Sequence, residues 1–166
     1  MNEKEFIKFI QNNKGIINKV SNIYSRTNED FEDLQQEIIL QVWKSIPKFN
    51  SQSKVSTWLY KIALNTALNI KRKKRIVPID IELNDRNLKY TASKDRFEEE
   101  IKWLYKAIQQ LNDIEKAIIL LYLEEKSYNE ISDITGFPKE QIGVKLSRAK
   151  TKLQKTLNSV FNNKND

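Results

Sequence analysis

The sequence predicts an all-α protein that consists of two small helical domains joined by a flexible linker. Only three glycines and three prolines interrupt its 166 residues, which favours long helices with short turns over a β fold with many turns. Apolar residues recur at spacings of three and four, the period of an amphipathic helix. A hydrophobic fraction of 39% is enough to build helical cores at this length.

The first domain is predicted over residues 1–75, and it begins with a helical stretch. An apolar stripe runs through residues 5–25, with Gly15 as a candidate interruption. The next helix is predicted to open at Thr27, because a Ser or Thr three residues before an acid, here Asp30, is the pattern of a capped helix N-terminus.

Pro47 is predicted to end this second helix, because a proline pushes the residue before it out of helical geometry. A polar connection follows, and helical spacing resumes over residues 57–75. This helix ends in five consecutive basic residues, 71–75. The opposite side of the helix, away from its apolar residues, carries one aromatic, two amide and two basic side chains. These are Trp58, Lys61, Asn65, Asn69 and Arg72.

A weakly patterned stretch over residues 76–96, which contains Pro78, is predicted to link the two domains. The second domain is predicted over residues 97–160, and residues 161–166 are expected to form a tail. Its helices are marked by three signals: caps at Asn112 and Ser127, each with a glutamate three residues on, a turn at Thr135 and Gly136, and Pro138 in the first turn of the last helix.

Residues 127–157 have the form of a helix-turn-helix, with a short capped helix, a turn that contains glycine and a longer helix. Spacings of four and three along the last helix form a polar and basic stripe that fits a major groove. That stripe consists of Gln141, Lys145, Arg148, Lys152 and Lys155. The alternative interpretation is an ordinary amphipathic helix with a solvated lysine face.

The composition excludes many enzyme classes. The net charge of +7 points to a polyanionic partner such as nucleic acid, although basic surfaces also suit acidic membranes. Cysteine and histidine are absent, which removes disulfides, thiolate catalysis, the usual zinc sites and the commonest general base. We therefore predict no catalytic residue, metal site, cofactor or small-molecule substrate. Because no apolar run is long enough for a membrane span or signal peptide, we expect a cytoplasmic protein without membrane insertion.

The basic run 71–75 and the tryptophans each have a simpler interpretation. Such a run is often a solvated helix end that complements the helix dipole, although here it continues a face suited to phosphates and bases. Packing is the simpler assignment for an isolated tryptophan on an amphipathic helix. On that ground Trp43 and Trp103 are assigned to packing, and Trp58 has packing as its alternative role.

Taken as a set, these residues closely resemble the extracytoplasmic-function (ECF) sigma factors of bacterial RNA polymerase. The resemblance to their conserved region 2 lies in DLQQEI at 33–38, VWK at 42–44, PKF at 47–49, TWLYKIALN at 57–65 and the basic run. The resemblance to their region 4 lies in SYNEI at 127–131 and SRAKTKL at 147–153. The order of the segments and the length between them also match the family.

The resemblance implies a promoter-recognition subunit, not an enzyme, that binds core RNA polymerase at the β′ clamp and the β flap, and promoter DNA. An anti-sigma factor is a further implied partner. The implied polymerase contacts are Asp33, Gln36, Glu37 and Gln41. The implied contacts to the −10 element are Phe49, Asn50, Ser51, Lys54, Trp58, Lys61, Asn65, Asn69, Lys71 and Arg72. The implied contacts to the −35 element are Lys139, Gln141, Lys145, Arg148 and Lys152.

The last helix departs from the family pattern at Gly143 and Val144, where a basic and a small polar residue are usual. A glycine inside a helix costs about 1 kcal/mol relative to alanine. We therefore expect promoter contacts to shift toward Lys139, Gln141 and Lys145.

Two other classes of function remain as alternatives. A conventional helix-turn-helix regulator that binds duplex DNA without polymerase explains residues 127–157 equally well, but it leaves residues 33–37 and the polar face of residues 57–75 unexplained. A small hydrolase or nuclease that uses carboxylates is disfavoured, because no pair of acids shares a helix face with a supporting base or metal ligand.

Overall fold

A computed structural model describes residues 1–76 and 96–164 of the chain. These two stretches belong to two compact units, which we describe separately. The predicted linker, residues 76–96 with Pro78, lies outside the described residues except for its two end residues, which are helical.

The described residues form helices and short connections, with no strand among them, which confirms the all-α prediction. The first unit contains α1 (Glu3–Asn12), α2 (Lys14–Tyr24), α3 (Asn28–Ser45), a 3-10 turn (Ile46–Lys48) and α4 (Val55–Ile76). The second unit contains α5 (Arg96–Gln109), α6 (Asp113–Leu123), α7 (Tyr128–Thr135) and α8 (Lys139–Lys164).

The first predicted helix is in fact two helices, and the break lies at Asn13 rather than at Gly15. The Asn13 side chain donates a hydrogen bond to the Phe9 carbonyl oxygen at 2.8 Å. Such a local bond competes with continuation of the helix, which explains why the chain breaks there. Gly15 lies within the first turn of α2, where helix continues without difficulty.

The remaining boundaries of the first unit follow the sequence signals closely. The Thr27 hydroxyl oxygen accepts a hydrogen bond from the Asp30 backbone N–H at 3.0 Å, which caps α3 as predicted. Helix α3 ends shortly before Pro47, which lies in the 3-10 turn. Helix α4 begins at Val55, two residues before the predicted start. Helices α2, α3 and α4 surround a core with Val20, Ile38, Val42 and Leu64 almost fully buried.

The second unit has the helix-turn-helix that the sequence predicts. Asn112 and Ser127 each form a complete capping box with the glutamate three residues on. Gly136 ends α7 with φ of +79°, a left-handed conformation that favours glycine. Helix α8 begins directly after Pro138 and continues to Lys164, beyond the predicted end near residue 160.

The core of the second unit lies between α5, α6, α7 and α8. Ile118, Leu121, Ile131 and Ile142 are almost fully buried in it. Burying one such side chain contributes about 1.5–3 kcal/mol. The inward face of α8 is thereby fixed, and its opposite face is exposed.

Candidate polymerase and nucleic-acid interfaces

An open groove of about 650 Å³ runs between α3 and α4 in the first unit. Its α3 wall includes Asp33, Glu37 and Gln41, and its α4 wall includes Asn65 and Asn69. Three of the four predicted polymerase contacts and two of the predicted −10 contacts therefore line the same groove. The sequence predicted both rows of residues, but not that the rows face each other.

The α3 wall is ordered by a hydrogen bond between two of the predicted polymerase contacts. The Gln41 side-chain amide donates to the Glu37 carboxylate at 2.7 Å, one turn apart on the helix. Gln36, by contrast, is exposed and does not line the groove. Asp33 is exposed at the groove's edge. The four predicted contacts thus extend from the groove onto the outer surface of α3.

An ion pair between α3 and α4 borders the groove. The Lys74 ammonium contacts the Asp30 carboxylate at 2.7 Å. Partial burial raises the pKa of Asp30, but the hydrogen bond and charge of Lys74, together with hydrogen bonds from Thr27 and the Arg26 backbone, outweigh it and leave this pKa below its usual value. One cation of the basic run is therefore engaged within the protein.

The polar face of α4 carries the exposed residues Lys61, Asn65, Asn69 and Arg72. The Arg72 guanidinium donates a hydrogen bond to the Asn69 side-chain oxygen at 2.9 Å. This bond uses the side-chain oxygen of Asn69 and not its NH₂ group. Lys71 is half-buried, so it is less accessible than Arg72 beside it.

An aromatic cluster lies where α1, α4 and the connection before α4 meet. The half-buried Trp58 ring lies 4.7 Å from the Phe49 ring and 6.4 Å from the Phe9 ring, measured between centroids. The connection bends next to it, where the Asn50 side chain accepts a hydrogen bond from the Gln52 N–H at 3.2 Å and Ser51 has φ of +58°. Trp58 therefore packs on one side and remains partly accessible on the other.

The other two tryptophans differ from each other. Trp43 packs edge-on against Phe6 at 4.7 Å but is 43% exposed, so its assignment to packing alone is incomplete. Trp103 is half-buried, and the Lys106 ammonium lies 5.2 Å from its ring centroid. The helical pattern of the sequence could not predict that Trp43 is more exposed than Trp103, because both residues lie beside apolar positions.

The predicted −35 contacts on the exposed surface of α8 differ in how accessible their side chains are. Lys139, Gln141 and Arg148 are exposed. Lys145 is half-buried, and its ammonium lies 4.5 Å from the centroid of the Phe137 ring, a cation–π distance. Lys145 therefore lies at the edge of this face, not at its centre.

Lys152 is engaged by a partner within the protein. Its ammonium contacts the Glu115 carboxylate at 2.6 Å, and the Glu115 side chain is only 9% exposed. The second Glu115 oxygen accepts a hydrogen bond from the Asn112 backbone N–H at 3.3 Å. Glu115 therefore serves both as a helix cap and as the counter-ion that ties α8 to α6. The capping pattern in the sequence predicted the first role but gave no signal for the second.

In the described stretches, no group of three or more acidic side chains is placed to hold a metal ion. No helix among the described residues is long and apolar enough to cross a bilayer.

Comparison with known proteins identifies the two units. The family model for sigma-70 region 2 matches residues 9–76, and the model for sigma-70 region 4 matches residues 101–153. The chain is 29% identical to the RNA polymerase sigma-H factor of Pseudomonas aeruginosa over 142 residues, which covers 78% of this chain and 74% of that protein. It is 28% identical to the ECF RNA polymerase sigma-E factor of Escherichia coli K12 over 147 residues, which covers 80% and 77% respectively.

Among solved structures, the sigma factor RpoE from Bartonella quintana, crystallised with the anti-sigma factor NepR, has the same fold. The TM-score is 0.73 at 22% identity, over 93% of this chain and 98% of that one. CnrH, solved in complex with the cytosolic domain of CnrY, matches with a TM-score of 0.66 at 16% identity, over 95% and 90%.

A region 2 unit followed by a region 4 unit defines a sigma-type transcription initiation factor, a class that is not enzymatic. Together the two matches span most of the chain, and relatives of the ECF group match along both units. The chain belongs to the ECF family of RNA polymerase sigma factors. This confirms the predicted family and disfavours a conventional regulator that works without polymerase.

Proposed function

We propose that the two units of this sigma factor divide the work of promoter recognition. In this proposal α3 docks on the β′ clamp of core RNA polymerase, α4 and the connection before it hold the opened −10 element, and α8 holds the −35 duplex while its unit rests on the β flap. The observation that carries the proposal is the groove of the first unit, where the acidic row of α3 lies across from the amide row of α4. The domain limits at residues 75 and 97 remain a prediction.

The surface of α3 suits a protein partner better than DNA. Asp33 and Glu37 would repel phosphates, whereas carboxylates and amides in a fixed geometry suit basic and polar groups of a protein. The hydrogen bond between Glu37 and Gln41 holds both side chains in place before docking, which reduces the entropy lost on binding. Gln36 extends the surface away from the groove.

The neighbouring face of α4 suits unpaired bases. Extruding a base costs a few kcal/mol, and stacking on an aromatic ring returns about 1–3 kcal/mol per base. Trp58 and Phe49 supply aromatic surface, and Asn65 and Asn69 supply amides for base edges. Lys61 and Arg72 lie where they can bind phosphates. We include the other residues predicted for this element, namely Asn50, Ser51, Lys54 and Lys71, as neighbours of this site.

In the second unit we propose Lys139, Gln141 and Arg148 as the main −35 contacts, with Lys145 at the edge. All three are exposed on α8, and arginine and glutamine side chains pair with guanine and adenine edges in the major groove. We propose a different role for Lys152, because its ammonium pairs with Glu115. Lys152 then orients α8 rather than contacting DNA.

We further propose that an anti-sigma factor holds this protein inactive in the cytoplasm, where core polymerase works. The support is that two of its structural relatives were solved with such partners or partner fragments: RpoE with the anti-sigma factor NepR, and CnrH with the cytosolic domain of CnrY.

The test is promoter-dependent transcription with purified bacterial core polymerase. The double variant Gln36→Ala, Glu37→Ala should bind core polymerase at least ten-fold more weakly, whereas Arg148→Ala should bind core normally but initiate at the promoter at least ten-fold less often. For Arg148→Ala, loss of one bidentate arginine contact is worth about 1–3 kcal/mol, or about 5- to 150-fold, which includes the ten-fold loss expected.

Two matched controls separate these effects from general damage. Glu3→Ala, the control for the α3 variant, removes an exposed carboxylate from α1. Lys150→Ala, the control for Arg148→Ala, removes another basic side chain of α8, whose ammonium lies 3.8 Å from the Tyr122 ring centroid. Both should retain core binding and specific initiation. If the α3 double variant binds core as tightly as the unchanged protein, the docking assignment is wrong; if Arg148→Ala initiates normally, the −35 assignment is wrong.

A further inference from the structure

Val144 is an exposed apolar side chain at the centre of the outward face of α8. Its exposed fraction is 52%, although valine is neither a strong helix former nor a typical surface residue. The buried residues of this part of α8 are Ile142, Leu146, Ala149 and Leu153. With about 100° of rotation per residue, Val144 lies nearly opposite the middle of that buried face.

The neighbours of Val144 on this face are the proposed −35 contacts. Gln141 precedes it by three residues and Arg148 follows it by four, so each lies one turn away on the same side of the helix. Both are exposed. The face therefore presents an amide, a branched apolar group and a guanidinium in a row along the helix.

Gly143 does not alter this face. A Cβ atom added there would meet the Tyr128 ring at 3.5 Å, so the position is directed toward α7. The two departures from the family pattern thus have different consequences. Gly143 leaves space beside Tyr128, whereas Val144 changes the chemistry of the surface that faces outward.

The major groove contains one apolar group that this side chain can contact, the 5-methyl group of thymine. Amide and guanidinium groups beside it pair with adenine and guanine edges in the same groove. We propose that Val144 is a specificity residue that contacts a thymine methyl group in the −35 duplex, next to the base pairs contacted by Gln141 and Arg148. This inference rests on the proposed function, in which α8 lies in the major groove.

The surroundings favour DNA over an apolar protein surface as the occupant. Two exposed basic residues, Arg148 and Lys155, share the outward side of α8 with Val144, and their charge complements the phosphates that flank a groove. The other large apolar side chains that are exposed in this unit are Phe97, Tyr122, Leu123, Tyr128 and Phe161. Tyr122 and Leu123 are at the end of α6, and the Lys150 ammonium lies over the Tyr122 ring. Lys150 is about a third of a turn around α8 from Val144, so the two apolar positions are not side by side on that helix.

The experiment begins with selection of −35 sequences by the complete holoenzyme from a library of randomised promoters. Each thymine in the selected element is then replaced by uracil, which pairs with adenine but lacks the methyl group. At one position the holoenzyme should bind the uracil promoter about four-fold more weakly, the effect of burying one methyl group. With Val144→Ser this ratio should fall to about one.

Arg148→Ala is the matched control. It should weaken binding to the selected promoters as a whole but keep the four-fold ratio between thymine and uracil. Because Val144 is exposed, Val144→Ser should fold normally, and urea unfolding of the variant verifies this independently of polymerase binding.

Three outcomes would overturn the inference. If binding depends on the −35 sequence and on Arg148 but no thymine responds to uracil, the methyl contact is wrong while the proposed function stands. If Val144→Ser weakens core binding instead, the side chain contacts the polymerase. If binding does not depend on the −35 sequence at all, the proposed role of α8 fails as well.

Discussion

The two units of this protein present charge in different ways. In the first unit, an acidic row on α3 faces an amide row on α4 across an open groove, with an aromatic cluster on the same unit. In the second unit, one helix presents a face in which amide and basic residues surround a single exposed valine. A mixed surface suits a protein partner and unpaired bases together, whereas the α8 face suits an intact duplex. In the proposed function, this difference allows one chain to serve two tasks.

Each unit also pairs one lysine of its basic surface with an acid on another helix. Lys74 pairs with Asp30, whose side chain is 30% exposed, and Lys152 pairs with Glu115, whose side chain is 9% exposed. Because Glu115 is more buried than Asp30, loss of the lysine partner should destabilise the protein more in the second pair than in the first. Four measurements test such contrasts, and their expected effects decrease in the order given.

The largest effect should come from the core of the second unit. Ile118→Ala removes a side chain with no exposed surface and should lower the free energy of unfolding of this unit by about 2–5 kcal/mol. Val144→Ala, in the same unit but on the exposed face, should change it by less than about 0.5 kcal/mol. Urea unfolding measures both by fluorescence when Trp43 and Trp58 are replaced by phenylalanine, so that Trp103 alone reports on the second unit. Equal effects would show that the outward face of α8 is not free.

The next effect concerns the ion pair between α6 and α8. Lys152→Gln leaves the buried Glu115 carboxylate without its counter-ion and should cost about 1–3 kcal/mol. Glu115→Gln removes the buried charge itself and should cost less, since the remaining Lys152 side chain is 58% exposed. A double-mutant cycle in urea unfolding gives the coupling energy. If the coupling energy is zero, Lys152 is again a candidate DNA contact.

Two glycines of the second unit should respond to alanine in opposite directions. Gly143→Ala should raise the free energy of unfolding by about 0.5–1 kcal/mol, because a Cβ there makes only ordinary contact with Tyr128 at 3.5 Å. Gly136→Ala should lower it by about 1 kcal/mol or more, because φ is +79° there. Thermal unfolding of both variants measures the difference. If Gly143→Ala is instead destabilised, the added methyl group does not fit beside the Tyr128 ring.

The smallest effect should come from the ion pair of the first unit, and it should depend on pH. The pKa of Asp30 lies below its usual value when folded, so the pair stabilises above about pH 4 and its contribution is lost as pH falls through the lowered pKa. Asp30→Asn should therefore cost about 0.2–1 kcal/mol at pH 7 and less at pH 3. Unfolding by urea at both pH values measures this, with Lys74→Gln as the matched variant. A cost that grows toward low pH would contradict the assignment.

The helices of this protein could be predicted largely from local signals. The caps at Thr27, Asn112 and Ser127 and the turn at Gly136 depend on residues within a few positions of one another, and each lies where the sequence places it. The break at Asn13 was missed, because any asparagine can either cap a helix or lie within it. The length of α8 was underestimated for a similar reason, since polar residues near its end continue the helix without a stop signal.

The candidate sites could be predicted only in part. The residue types of the two surfaces follow from helical spacing, but their partners within the protein do not. Glu115 and Lys152 are 37 residues apart, and Asp30 and Lys74 are 44 apart, so only the tertiary structure brings each pair together. The same holds for the groove, because nothing local to α3 or α4 fixes which faces oppose each other.

The division of work between the two units is tested most directly by permanganate reactivity of thymines in the −10 region of holoenzyme–promoter complexes. The double variant Asn65→Ala, Asn69→Ala should occupy the promoter, yet its −10 thymines should stay unreactive because the strands remain paired. Arg148→Ala should occupy fewer promoters, but the complexes that form should be as reactive as those of the unchanged protein. If the α4 variant opens DNA normally and Arg148→Ala abolishes opening within occupied complexes, the proposed division is contradicted.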